Sequence, residues 1–222
     1  AEKLRAEGVV VVEEWNALLA LPIEAVWLPL PIPLHRPYTE QALAAGKAVM
    51  CEKPAAGSVQ DVDSMIAARD QAGLPAAIGF QDMYRPSTAA LKRALLAGRI
   101  GAVRSATLMA CWPRDSNYYG RSAWAGRQRL HGAWVMDSPA SKALAHYINL
   151  AFFLLGESHD ESAALASVEA ELYRAKPIEN YDTCGIRITT ESDAQVLVLF
   201  THACRETRNT RIVIEGERGK LT

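Results

Sequence analysis

Three stretches of the chain carry side chains that could do chemistry if a fold brought them to a cleft. Glu52-Lys53-Pro54 directly follows the short apolar run Ala48–Cys51. That run reads as a parallel strand, and in open α/β sheets ligands settle in the crevice beyond the C-terminal strand ends. A lysine there can donate a hydrogen bond to a substrate hydroxyl, and burial lowers its pKa toward a range useful for proton transfer. Pro54 fixes the turn, X-Pro being the bond that readily takes the cis form. Read alone, the tripeptide equally suits a surface ion pair closing a strand. The second stretch runs from Asp137 through His146 and Asn149 into an apolar helical pattern, where a histidine serves either as an acid/base or as a core residue. The third, Tyr118–Arg127, mixes Tyr118, Tyr119 and Trp124 with Arg121 and Arg127. Aromatic faces and guanidinium groups suit hydroxyl-rich or carboxylated sugars, and they equally suit a solvated loop.

The elements that must position these groups follow from hydrophobic periodicity. Val9–Val12, Ala25–Leu30, Ala48–Cys51 and Ala76–Phe80 read as strands, with Ala25–Leu30 apolar on both faces and therefore buried. Between them Glu13–Leu21, Pro33–Ala45 and Ser58–Ala72 read as helices. Ser58 stands as N-cap, and Gly46 and Gly73 stand where helices close. A further helix, Pro86–Ala97, is closed by Gly98. This βα alternation predicts a parallel sheet with helices on its faces. After Gly101 the rhythm changes. A long strand, Val103–Trp112, leads into a polar, aromatic loop from Pro113 to about Leu130, and then into a helix, Pro139–Leu155. Four strands in series follow, Ala164–Tyr173, Cys184–Thr190, Ala194–His202 and Thr210–Glu215, which predicts a mainly antiparallel sheet. The domain boundary falls near residues 82–86.

Composition narrows the function classes. Half of the 222 residues are apolar and the formal net charge is −1. Such a chain has no electrostatic reason to seek nucleic acid or an anionic membrane. Cys51, Cys111, Cys184 and Cys204 lie far apart with no CxxC pair, which favours reduced thiols in the cytoplasm over a disulfide framework or a metal site. No apolar stretch has the length of a membrane span.

The order of motifs adds a resemblance. Val26-Trp27-Leu28-Pro29-Leu30-Pro31-Ile32-Pro33-Leu34-His35 leads to Ala42-Leu43-Ala44-Ala45-Gly46-Lys47 and on to Glu52-Lys53-Pro54. Then come Ile78-Gly79-Phe80 and the helix end Gly98-Arg99-Ile100-Gly101. Over nearly its whole length the chain resembles the Gfo/Idh/MocA oxidoreductases. The resemblance implies an incomplete Rossmann-like dinucleotide-binding domain over residues 1–84. An open, mainly antiparallel α+β domain with helices on one face, for substrate and oligomerisation, then covers 85–222. It implies NAD or NADP as cofactor, a sugar or polyol substrate, and a homodimer or homotetramer. Lys53 matches the lysine near nicotinamide and substrate, and Glu52 the acid that approaches the cofactor ribose. Pro31 and His35 lie in the loop lining the nicotinamide side. His146 falls on the family histidine, Asn149 on the acid that follows it, and Asp137 on the acid that precedes it. In the family that first acid stands one helical turn before the histidine; here the gap is nine positions, which places Asp137 ahead of the helix. Met83 stands where the family often has an arginine. No G-x-G-x-x-G occurs, so the strand, Gly-rich turn and helix that receive a pyrophosphate are not in this sequence, and the chain reads as a fragment.

On this reading a secondary alcohol of a sugar or polyol is oxidised reversibly. His146 is the acid/base, assisted by Asp137, and Lys53 polarises the oxygen, the two facing each other across a cleft. Trp124, Arg127 and Asn149 contact substrate. Two rival readings stay open: a non-catalytic or cofactor-deficient member that binds ligand or dimerises, and a relative that uses nicotinamide transiently to cleave glycosides.

Overall fold

The computed structural model describes residues 1–222, which divide into two units, Ala1–Gly79 and Phe80–Thr222. In the first unit two short helices, α1 (Glu2–Ala6) and α2 (Trp15–Leu19), precede the alternation β1 (Ala25–Leu28), α3 (Ile32–Ala44), β2 (Ala48–Cys51), α4 (Val59–Ala72) and β3 (Ala76–Ile78). The strands pair in parallel in the order β1-β2-β3, with Leu28 opposite Cys51 and Cys51 opposite Ile78. Their C-terminal ends therefore lie side by side. The Ser58 hydroxyl accepts the Asp61 N–H at the start of α4, and Gly73 ends it in the left-handed region.

The first sheet is covered on one face. Val26, Leu28, Val49 and Cys51 are buried with Ala42 and Leu43 of α3 and Met65 of α4. Trp27 and its register partner Met50 point the other way and are exposed. The expectation of a strand buried on both faces at Ala25–Leu30 is therefore corrected: β1 alternates, because α3 and α4 pack on the same side. Val9–Val12 is no strand, since no neighbour pairs with it, and Val10 is exposed.

The second unit opens with a 3-10 turn, Gln81–Tyr84, and α5 (Pro86–Leu96). The nine-residue β4 (Val103–Cys111) follows, then the short α6 (Ser116–Gly120) and a two-stranded hairpin, β5 (Arg129–Leu130) with β6 (Ala133–Trp134). The predicted helix Pro139–Leu155 is two elements, a π-turn over Pro139–Ala143 and α7 (Ala145–Leu155). They part at Leu144, whose backbone leaves helical geometry. Then come β7 (Leu165–Tyr173), β8 (Thr183–Thr190), β9 (Gln195–Thr201), β10 (Arg208–Gly216) and β11 (Gly219–Leu221). The sheet order is β11-β10-β4-β9-β8-β7, antiparallel throughout except for the central β4–β9 pair.

Strict alternation gives this sheet one dry face. Ala106, Leu108 and Ala110 of β4 and Val196, Val198 and Phe200 of β9 are all at most 1% exposed, and they pack with Leu95 of α5 and Ala151, Leu154 and Leu155 of α7. Each large apolar side chain buried in this way contributes about 1.5–3 kcal/mol. The opposite face carries Thr107, Met109, Leu197 and Leu199, with Met109 and Leu199 exposed. At the edge, β7 is exposed along its whole length.

A buried lysine ties the helices together. Lys92, on α5, is 1% exposed, and its Nζ donates to the carbonyls of Phe153 (2.5 Å), Gly156 (2.6 Å) and Glu161 (3.1 Å). The first two belong to the C-terminal end of α7, where backbone acceptors lack helical partners. Burial lowers the pKa of Lys92, against the smaller pull of Glu161 and Asp160. Gly156 makes the close approach possible: a Cβ there would lie 2.0 Å from the Glu161 carbonyl oxygen and 2.9 Å from Lys92 Nζ. Replacing Lys92 by Met keeps the stem and strips three carbonyl oxygens of their donor. Urea unfolding is expected to show a loss of about 2–4 kcal/mol, as for other buried groups left unsatisfied; a change below about 0.5 kcal/mol would show that the clamp contributes no net stability.

Candidate active site

Beyond β2 the chain turns through Glu52, Lys53 and Pro54, with the Lys53–Pro54 bond cis. The turn is held from beneath by His35. This side chain is 1% exposed, with Nδ1 2.8 Å from the Pro54 carbonyl and Nε2 2.7 Å from the Leu30 carbonyl. One ring thus joins the loop after β1, which contains Pro31, to the turn after β2. Pro31 is exposed as N-cap of α3. Glu52 Oε2 accepts the Lys53 N–H at 3.3 Å. Gly79, after β3, lies close enough that a Cβ would sit 3.4 Å from the Glu52 carboxylate. Glu52 and Lys53 are both half-buried. Pro31, His35, Glu52 and Lys53 are thereby gathered at the strand ends of the first unit.

In the second unit His146 and Asn149 are three positions apart near the start of α7, on one helix face. The half-buried His146 ring meets Phe80 edge-on, 5.7 Å between centroids, and Asn149 Nδ2 lies 3.8 Å from Met83 Sδ. The start of this unit, Phe80–Tyr84, therefore seats the helix end that presents the histidine, with the Met83 sulfur accepting from the Asn149 amide.

Asp137 is occupied elsewhere. It is 3% exposed and its Oδ2 accepts the Gly126 N–H at 2.7 Å, while its carbonyl accepts Asn180 Nδ2 at 3.1 Å. Gly126 has φ +69° and a Cβ there would stand 2.9 Å from the Tyr119 ring, so this turn is closed to side chains. The carboxylate fixes the backbone that follows Trp124 and precedes Arg127. Trp124 is half-buried, with Arg121 Cζ 4.8 Å and Lys142 Nζ 2.8 Å from its ring centroid. The Arg127 side chain is exposed, and its backbone N–H donates to the Trp124 carbonyl. Ser138 caps the π-turn by accepting the Ser141 N–H at 3.2 Å.

Sequence reasoning missed the buried Lys92, Asp182 and His202. Asp182 is 0% exposed and accepts the N–H groups of Ala175 and Lys176. His202, 2% exposed, lies 3.5 Å from the Tyr119 hydroxyl through Nδ1. Burial, then the charge of Arg114, pushes its pKa down to about 4. No group of three or more His, Cys, Asp and Glu side chains is arranged to hold a metal ion.

A parallel α/β unit with Lys53 beyond its strand ends is thus followed in the chain by a sheet unit with His146 near a helix start. Residues 1–80 match the oxidoreductase family with an NAD-binding Rossmann fold, and residues 88–222 match the GFO/IDH/MocA C-terminal domain. The chain belongs to the GFO/IDH/MocA oxidoreductase family. It is 28% identical to D-apiose dehydrogenase of Paraburkholderia graminis over 85% of this chain and 48% of that one. With inositol 2-dehydrogenase of Rhizobium meliloti it shares 25% identity over 91% and 57%. Among solved structures, WlbA dehydrogenase of Bordetella pertussis in complex with NADH and UDP-GlcNAcA superposes with a TM-score of 0.84 at 26% identity, covering 99% of this chain and 64% of that one. The chain spans about half the length of the curated relatives it matches.

The depressed His202 pKa has a consequence for stability. Unfolded, the ring takes a proton near pH 6.5; folded, only near pH 4. The folded state therefore loses stability as pH falls through that window, by about 3 kcal/mol in all. Between pH 7 and pH 4, urea unfolding is expected to show that extra loss in the wild type relative to His202→Gln. Parallel profiles would show that the ring titrates alike in both states.

Proposed function

We propose that this protein oxidises a secondary alcohol of a sugar or polyol, or reduces the matching ketone, with NAD or NADP. The observation that supports this best is the His35-braced turn that sets Glu52 and Lys53 beyond three adjacent parallel strand ends. The turn suits a nicotinamide nucleotide: Glu52 has one oxygen on the Lys53 N–H and offers the other to a ribose hydroxyl. When bound, the cofactor accepts or supplies the hydride. Pro31 and His35 shape the loop on the nicotinamide side.

The chain's own groups handle the proton. Lys53 donates a hydrogen bond to the reacting oxygen and favours its alkoxide, and His146 takes the hydroxyl proton or returns it. Asn149 joins His146 in contacting substrate. Asp137, with its carboxylate on the Gly126 N–H, holds the loop that offers Trp124 and Arg127 to the sugar. The first unit is the cofactor lobe and the second the substrate lobe. The relatives named above, acting on apiose and inositol, support a neutral polyol as one class of substrate. No helix is long and apolar enough to cross a membrane, and four free thiols accord with the cytoplasm. The open face of the large sheet, with Met109 and Leu199, suits a homodimer.

Lys53→Ala, made in the protein as encoded, is expected to lower kcat by about 100-fold or more with a sugar or inositol substrate. An unchanged kcat would remove Lys53 from the chemistry. NADH and NADPH titrations followed by fluorescence test the cofactor independently; absence of binding by either would favour a ligand-binding, non-catalytic role. Met109→Asp is expected to yield monomer on size-exclusion chromatography, and an unaltered dimer would place the interface elsewhere.

A further inference from the structure

In the second unit a ladder of rings and cations runs outward from α7. The Tyr147 ring meets Trp112 edge-on at 6.2 Å. Arg114 Cζ lies 5.7 Å from the Trp112 centroid and 4.4 Å from that of Tyr118. Arg121 Cζ lies 3.5 Å from Tyr118 and 4.8 Å from Trp124. Beside the ladder is a cavity of about 380 Å³ lined by Pro113, Arg114, Asp115, Tyr118, Lys176 and Cys204.

Around this cavity three cations, Arg114, Arg121 and Lys176, stand among three acids, Asp115, Asp137 and Asp182. Arg114, Arg121 and Lys176 take part in no ion pair. The neighbouring acids keep their charge but accept hydrogen bonds from donors other than these cations. Asp115 accepts the Tyr118 N–H at 2.9 Å and Asn117 Nδ2 at 3.4 Å. Asp182 accepts the Ala175 and Lys176 N–H groups and the Thr183 hydroxyl. Asp137 accepts the Gly126 N–H. The rings approach the cations through their faces and leave guanidinium N–H edges to find acceptors elsewhere. Two buried nitrogens have no hydrogen-bond partner, Arg114 Nε and His202 Nε2. His202 is 2% exposed, its carbonyl accepts the Arg114 N–H at 3.1 Å, and its ring lies 6.0 Å from Tyr118. The Arg114 Nε–H is a desolvated donor without an acceptor, which is costly, and a bound oxyanion relieves that cost. Burial is the first cause of the depressed His202 pKa, and Arg114 the second, with Asp182 opposing and Arg121 and Lys176 adding less.

We propose that this cavity binds an oxyanion group of a ligand, a carboxylate or a phosphate, through Arg114 and Lys176, with the Tyr118 and Trp112 rings holding Arg114 in place. The site lies within the second unit and does not depend on the redox reading. A ligand carrying such a group would be a sugar acid or a phosphorylated or nucleotide-linked sugar.

The test is calorimetric titration of the full chain at low ionic strength, without cofactor, so its result is separate from any turnover assay. Inorganic phosphate, glucuronate and glucose serve as probes. Saturable binding of phosphate or glucuronate, with glucose silent, is expected, and the tighter of the two anions identifies the group. Lys176→Gln, at a half-buried position outside the packed core, is expected to weaken that binding about tenfold, and Arg114→Gln at least as much. Arg69→Gln, which removes the same charge in the other unit, should leave it intact. The proposal is overturned by absence of saturable binding to either anion. It is equally overturned if the affinity survives both Lys176→Gln and Arg114→Gln, or if Arg69→Gln weakens binding as much as they do.

Discussion

Backbone groups stranded inside a protein must find partners, and this constraint governs the arrangement of both units. Where a strand or helix ends within the protein, a polar side chain is committed to the loose carbonyl or amide. His35 lies against two carbonyls at the ends of β1 and β2. Lys92 serves three around the end of α7. Asp137 and Asp182 take up amides of the loops at Gly126 and at Ala175–Lys176. Each costs desolvation and returns a fixed backbone position. Lys53 directly precedes Pro54, whose carbonyl lies against His35, so the turn that carries the lysine is set by a residue buried beneath it.

The same constraint decides which charges remain available. Carboxylates bonded to amides keep their charge but direct their lone pairs away from nearby guanidinium groups, and arginines stacked on rings keep theirs. The Trp112–Tyr118–Trp124 ladder thus interleaves its arginines with aromatic faces and not with carboxylates. Overall composition could not reveal this, because it counts charges without showing what each one faces.

Much of the architecture was legible in the sequence, and the reasons are specific. From β1 onward the strand–helix rhythm of the first unit, the Ser58 cap and the Gly73 terminus rest on local rules of periodicity and capping and emerge as read, whereas Val9–Val12 is no strand. The five long strands of the second unit were placed to within a few residues, β4 and β9 because they bury every other side chain, while the short β5, β6 and β11 were not read. Non-local partners were not legible. Lys92 looks like an ordinary polar position on an amphipathic helix; its acceptors lie more than sixty positions away. The break at Leu144 hides in an apolar pattern that continues across it. The exposure of Trp27 depends on which side α3 and α4 occupy. Of the candidate site, the sequence showed which residues could do chemistry; it did not show that the Asp137 carboxylate is committed to Gly126, a hydrogen bond that spans eleven positions.

The edge strand β7 carries a consequence of its own. Its outer ladder of N–H and C=O groups faces solvent, and Leu165, Val168 and Leu172 are exposed along it. A free ladder with apolar side chains is a template for another chain. Glu169 and Glu171 stand between those apolar positions. Two such strands meeting antiparallel about their centres would bring like carboxylates face to face, and the repulsion works against edge-to-edge growth while leaving the edge itself intact.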